Sequence, residues 1–111
     1  MNQLVLTARI LTRGAHRVSP SGQTVLELTL WHESVVREAG LERTLSFAAP
    51  AKAVGSVAER LHQAGEGAYR FTGFAAPRRA ARSREDMQSS PPAGLIFHIT
   101  EFEMENQDGL R

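Results

Sequence analysis

The chain holds 111 residues, 41% of them hydrophobic, with thirteen Lys and Arg against twelve Asp and Glu and a formal net charge of +1. That length fits one ordinary domain, and the near-balance of charge excludes a histone-like basic tail or an acidic disordered chain. The lack of cysteine removes disulfides, thiol catalysis and thiolate metal sites, and no apolar run is long enough to cross a bilayer.

Residues 4–11 alternate, Leu4, Leu6, Ala8 and Ile10 against Val5, Thr7, Arg9 and Leu11, which predicts a first strand. The segment from Arg13 to Thr24 reads as a connection, with Ser19-Pro20-Ser21-Gly22 as its turn. Residues 25–33 predict a second strand, with Leu26, Leu28 and Leu30 inward and Glu27, Thr29, Trp31 and Glu33 outward. Glu38-Ala39-Gly40 forms the next turn, and Arg43 to Ala48 a third strand completing a hairpin.

Pro50 is expected to end that strand. Val54, Val57, Ala58 and Leu61 then follow helical spacing, which predicts a helix within 51–64 that Gly55 shortens and Gly65 stops. Tyr69 to Ala75 is the fourth strand and Leu95 to Met104 the fifth. Between them, residues 77–94 make an Arg-, Ser- and Pro-rich loop, longer than connections in compact domains usually run. The order β-β-β-α-β-β is that of the OB-fold, an all-β, five-stranded Greek-key barrel with one short helix. Residues 1–105 are expected to form this single domain, and 106–111 a flexible tail.

Net charge conceals a split. Arg78, Arg79, Arg82 and Arg84 stand together in the long loop, whereas Glu101, Glu103, Glu105 and Asp108 crowd the C-terminal end. Twelve of the thirteen basic residues are Arg, and Lys52 is the one Lys. The alternating glutamates read as a solvated strand face or guarded edge; an acidic surface for a basic partner is the other reading. His16, His32, His62 and His98 occupy separate elements with no metal-ligand spacing, and no nucleophile or phosphate-loop motif is present. No metal, cofactor or catalytic residue is implied. Met1-Asn2-Gln3 lacks the basic start of a signal segment, so a soluble, cytoplasmic protein without a membrane role is the expectation.

Asn2-Gln3-Leu4-Val5-Leu6, Arg17-Val18-Ser19-Pro20-Ser21-Gly22, His32-Glu33-Ser34-Val35, Glu38-Ala39-Gly40, Arg43 and Pro50 form a series of blocks at fixed spacing. In register, these blocks resemble the primosomal replication protein N (PriB) family, relatives of bacterial single-stranded DNA-binding proteins. The resemblance covers about the first 50 residues; beyond them it rests on element order and a basic loop before the last strand. It implies a homodimer that binds single-stranded DNA and bridges a restart helicase (PriA) to later primosome factors (DnaT, where present). Arg17 and Arg43 match basic residues of the family, and Arg78, Arg79, Arg82 and Arg84 lie in its DNA-contacting loop. Glu33 stands where a family member has a basic residue, and Ser46 where it has a DNA-stacking tryptophan. These departures imply a weaker or differently built DNA surface, or a protein in which protein contacts dominate.

Single-strand binding needs cations for phosphates and flat side chains for bases. The four loop arginines supply the first, against the plainer reading of a solvated loop. Trp31, the sole tryptophan, could stack on a base in place of the ring missing at Ser46, lie in a dimer interface, or pack beneath a loop. Phe47 shares the parity of Leu45, which favours core packing, with base stacking as the alternative because it adjoins the family's stacking position. Tyr69, Phe71, Phe97 and Phe102 are expected in or beside the core. A small hydrolase using the histidines is the remote third class.

Overall fold

The computed structural model describes residues 1–78, 84 and 94–105. Five strands, β1 (Leu4–Val18), β2 (Thr24–Glu38), β3 (Leu41–Val54), β4 (Ala68–Pro77) and β5 (Leu95–Met104), accompany one helix, α1 (Ser56–His62). They close in the order β1-β2-β3-β5-β4, and β4 pairs back to β1. This is the five-stranded OB-fold barrel that the element order predicts.

β1 is longer than its alternation indicates. Its first part, Leu4 to Arg9, pairs with β4, and from Arg9 to Val18 it pairs with β2. Two register shifts, between Ile10 and Thr12 and between Arg13 and His16, interrupt the two-residue period. Such bulges bend a strand sharply enough to change partners, and they hide the second half of β1 from a periodicity reading.

β3 is also longer, because Pro50 does not end it. Pro50 lies opposite Thr29 of β2, and β5 joins the other side of β3 only from Ala51 onward. Pro50 therefore sits where β3 is still an edge on that side, a position that tolerates a missing N–H. β3 runs on to Val54, and the helix starts only at Ser56. Val54 is consequently a half-exposed strand residue instead of part of the apolar helix face. Gly55, at φ 86°, occupies the N-cap, a left-handed conformation that favours glycine.

The core gathers Leu26, Leu28 and Leu30 of β2, Ala51 and Ala53 of β3, Val57, Ala58 and Leu61 of α1, Tyr69 and Phe71 of β4, and Phe97 and Ile99 of β5. Phe71, Leu26, Leu30 and Leu61 are fully buried. The buried face of α1 packs chiefly against β2 and β3, and also touches β5. Arg13 of β1 fastens its C-terminal end by donating to the carbonyls of Leu61 and Ala64.

Both predicted turns form. Gly22 N–H donates to the Ser19 carbonyl (2.9 Å), with Gly22 at φ 91°. At the β2–β3 tip, Glu38 pairs with Leu41 across Ala39 (φ 54°) and Gly40 (φ 81°), the two positive φ angles of a type I′ hairpin turn. Ala39 is the residue strained there. Ala39→Asn should raise stability by about 0.5–1 kcal/mol in urea melts, because Asn tolerates this conformation better.

Gly73 marks the one register shift between β4 and β5. A Cβ added there would lie 1.7 Å from the His98 carbonyl oxygen and 2.9 Å from the Phe97 ring. Gly73→Ala should therefore cost roughly 2–4 kcal/mol in the same melts, by prising β5 off β4.

Candidate nucleic-acid interface

Cross-strand register sorts the outer surface of the barrel. Leu26, Leu28 and Leu30 point into the core, so Glu27, Thr29, Trp31 and Glu33 point out. Their partners on β3 are Lys52, Pro50, Ala48 and Ser46. On the β1 side, Arg9 lies opposite Trp31 and Thr12 opposite Thr29. A groove of about 490 Å³ crosses this face, lined by Thr12, Glu27, Thr29, Lys52, Arg78 and Ile96 among others.

Two cations enter the groove. Arg78 stands at its edge, where its backbone N–H donates to the Gly94 carbonyl (3.0 Å) and ties together the two ends of the arginine-rich loop. Lys52 rises from β3 between buried Ala51 and Ala53. Among the described residues, ion pairs occupy Arg17, Arg43 and Arg70 and leave Lys52 and Arg78 without a carboxylate partner. Sequence reading missed Lys52 because ending β3 at Pro50 assigned it to the helix. The alternation Ala51-Lys52-Ala53, read as strand, would have placed it outward.

Arg17 borders the same groove through Glu27, to which its Nη2 donates at 2.8 Å. Both side chains are about half exposed, so this ion pair contributes little stability and can be exchanged for another anion. Trp31 is half-buried, and its indole N–H donates to Glu33 Oε2 at 2.9 Å. Glu33 thus fixes the tryptophan ring on the groove's own face, two positions beyond Thr29.

Arg43 and Phe47 do not join this face. Phe47 lies opposite His32, and Arg43 opposite Val36, which puts them on the other side of the hairpin. Arg43 is bound there to Glu38. The expectation that Phe47 packs in the core is overturned: it is 41% exposed, with its ring 4.9 Å from that of His32. Its parity does follow the inward leucines, but at this level of the hairpin no layer of the described residues covers it. Leu45 is only half-buried for the same reason. His32 is held by the Thr7 carbonyl and the Ser34 hydroxyl, each at 2.7 Å.

Tyr69, Phe71 and Phe97 are buried and Phe102 packs against them, as expected. Arg84 is exposed; Arg79, Arg82 and the 106–111 tail lie outside the described residues. His16 and His62, distant in sequence, stack at 4.1 Å, yet no group of three His, Asp or Glu among the described residues is placed to hold a metal ion. No described helix is long and apolar enough to cross a membrane.

A family model described as another single-strand binding protein family matches residues 2–101, and with the OB-fold barrel this defines the chain as a single-strand binding type of protein. The replication restart protein PriB of Bordetella pertussis is 44% identical over 80 residues, 71% of this chain and 75% of its own. PriB of Nitrosomonas europaea is 33% identical over 76 residues, 68% of this chain and 70% of its own. The solved PriB of Ralstonia solanacearum superposes with a TM-score of 0.75 at 25% identity, over 95% of this chain and 99% of that one. The wild-type single-stranded DNA binding protein of Thermus aquaticus shares the fold, with a TM-score of 0.68 at 20% identity over 98% of this chain and 52% of that one. The chain belongs to the PriB family of replication restart proteins.

Next to Lys52 on β5 is His98, whose pKa lies below the ordinary 6.5 because burial, and then the Lys52 charge, disfavour its protonated form. The unfolded chain therefore takes up this proton first as pH falls. The stability that neutral His98 contributes is present above pH 6.5 and is lost as pH drops toward the folded-state pKa. In urea melts across this range, His98→Gln should show a shallower loss of stability on acidification than the wild type.

Proposed function

We propose that the chain binds single-stranded DNA along the groove on the outer face of β1, β2 and β3. It acts as a non-catalytic, homodimeric adaptor in replication restart, assisting a helicase of the PriA type and, where present, a DnaT-type factor, in the cytoplasm. Residues 1–105 serve as one OB-fold domain in this reading. The observation that carries it is the meeting of Lys52 and Arg78, two cations without carboxylate partners among the described residues, with Trp31 on one face at the foot of the arginine loop.

The chemistry is binding. Lys52 and Arg78 take phosphates, joined by Arg79, Arg82 and Arg84 from the loop, and Arg's planar fork suits phosphate oxygens. Arg17 gives up Glu27 for a phosphate at small cost. Trp31 supplies the stacking surface; it sits on the same face as Ser46, two register pairs away, and so replaces the ring absent there. Glu27 and Glu33 on this face reduce its potential, which supports modest affinity.

A second reading, in which protein contacts dominate, is supported by the opposite side of the hairpin. Val36, Leu41 and Phe47 are exposed there, beside Arg43, which is already neutralised by Glu38.

Oligothymidylate titrations across a salt series distinguish the two. For single strands the slope of log affinity against log salt is about −0.7 for each phosphate neutralised. Replacing Arg78, Arg79, Arg82 and Arg84 together by Ala should reduce that slope by up to about 3, and DNA should quench Trp31 fluorescence. Unchanged affinity, slope and fluorescence, with helicase stimulation intact, would leave the protein-contact reading in possession.

A further inference from the structure

Lys52 lines two grooves. The second, of about 320 Å³, lies beyond β5 and is lined by Lys52, Val54, Ser56, Arg60, Phe74 and His98 among others. Register explains the continuity. Glu27 pairs with Lys52, Lys52 with His98, and His98 with Phe74. These four side chains form one row across β2, β3, β5 and β4; Glu27, Lys52 and His98 each point outward between two buried neighbours, and Phe74 follows buried Gly73. Lys52 is the link at which the first groove ends and the second begins.

The second groove has the features of a base platform. The Phe74 and His98 rings stack at 4.9 Å, 23° from parallel, and Phe74 is 37% exposed. The imidazole stacked against the phenyl ring stiffens it and widens the flat surface. Two cations line the groove with the pair: Lys52, next to His98 in register, and Arg60, whose guanidinium is anchored 5.0 Å above the Phe102 ring. No carboxylate lines this groove among the described residues; Glu101 and Glu103 line a separate hollow beside Arg70. Cations and a flat ring in one groove complement the phosphates and bases of a single nucleic-acid strand. An apolar partner helix would find no matching stripe here, and an acidic peptide would leave the ring pair unused.

We infer that Phe74 and His98, together with Lys52 and Arg60, form a second base-stacking subsite, which receives the continuation of a single DNA strand from the first groove around β5. This rests on the reading above that the first groove binds single-stranded DNA. It predicts that longer strands gain affinity through a part of the barrel remote from the arginine loop.

Oligothymidylates of about six and about fifteen nucleotides, within the range one OB-fold accommodates, provide the test with the full chain at one low salt concentration. Phe74→Ala should weaken the longer strand about five- to tenfold, the low end of stacking losses that suits a half-exposed ring, and the shorter strand less than about twofold. Phe74→Tyr should restore the longer strand's affinity, which separates loss of stacking from loss of folding. Independently of any variant, a longer strand carrying 5-iododeoxyuridine should crosslink to the wild-type peptide holding Phe74 or His98. Equal losses on both lengths, no loss on either, or crosslinks confined to the Trp31 side would overturn the subsite and leave the first groove standing. Failure of the wild type to bind either strand would remove both.

Discussion

Everything on the outer surface depends on how the barrel closes. β3 and β5 meet in parallel over three residue pairs, Ala51–Phe97, Lys52–His98 and Ala53–Ile99. The inward members are small on β3 and large on β5, so two alanines make room for Phe97 and Ile99 to reach the Leu26–Leu30 side of the core. Strand alternation then leaves the middle pair no choice but to face out. Closure and site are one event: packing the alanines inward presents Lys52 and His98 outward, at the junction of two grooves. Gly73 serves the same seam from the other side, since only a residue without a Cβ lets the His98 carbonyl come so close to β4.

A net charge of +1 suggests indifference to nucleic acid, and pairing explains why it misleads. Arg17, Arg43 and Arg70 are each matched by a glutamate on the surface. Such exposed pairs add little stability, but they keep the field flat over most of the barrel. Lys52 and Arg78, which have no carboxylate partner among the described residues, stand together in one groove at the root of the loop that carries three further arginines. Local fields, not totals, decide what a surface attracts.

How much of this could be read from the sequence depended on whether a periodicity ran unbroken. The β2 leucines alternate without interruption, so the strand, its inward face and the outward Trp31 were all legible. The turns were legible because Pro20, Gly22 and Gly40 have local conformational reasons to be there. β1 was legible only to its first bulge, after which the period slips. β3 was lost at Pro50, whose meaning depends on where β5 arrives, a fact about distant sequence. That single misplacement concealed Lys52 from the candidate site. Phe47 failed in the opposite way: its parity was read correctly, but parity names a face and not what covers it.

That last distinction divides the aromatic candidates for function. Trp31 and Phe47 come from adjacent strands of one hairpin, yet Trp31 pairs with Ala48 and Phe47 with His32, so the rings lie on opposite sides of a two-stranded ribbon. A single strand following Lys52 and Arg78 meets Trp31 and cannot also meet Phe47 without passing around the hairpin edge. The ribbon thus has two sides of different chemistry. One continues the groove with Trp31, Ser46 and Glu33; the other carries Phe47, Val36 and Leu41 with a neutralised Arg43. Bare apolar side chains beside a self-cancelling ion pair suit contact with protein far better than contact with phosphate. On the proposed reading, DNA binding and protein contact need not compete for one surface, because the two sides of the hairpin differ in chemistry.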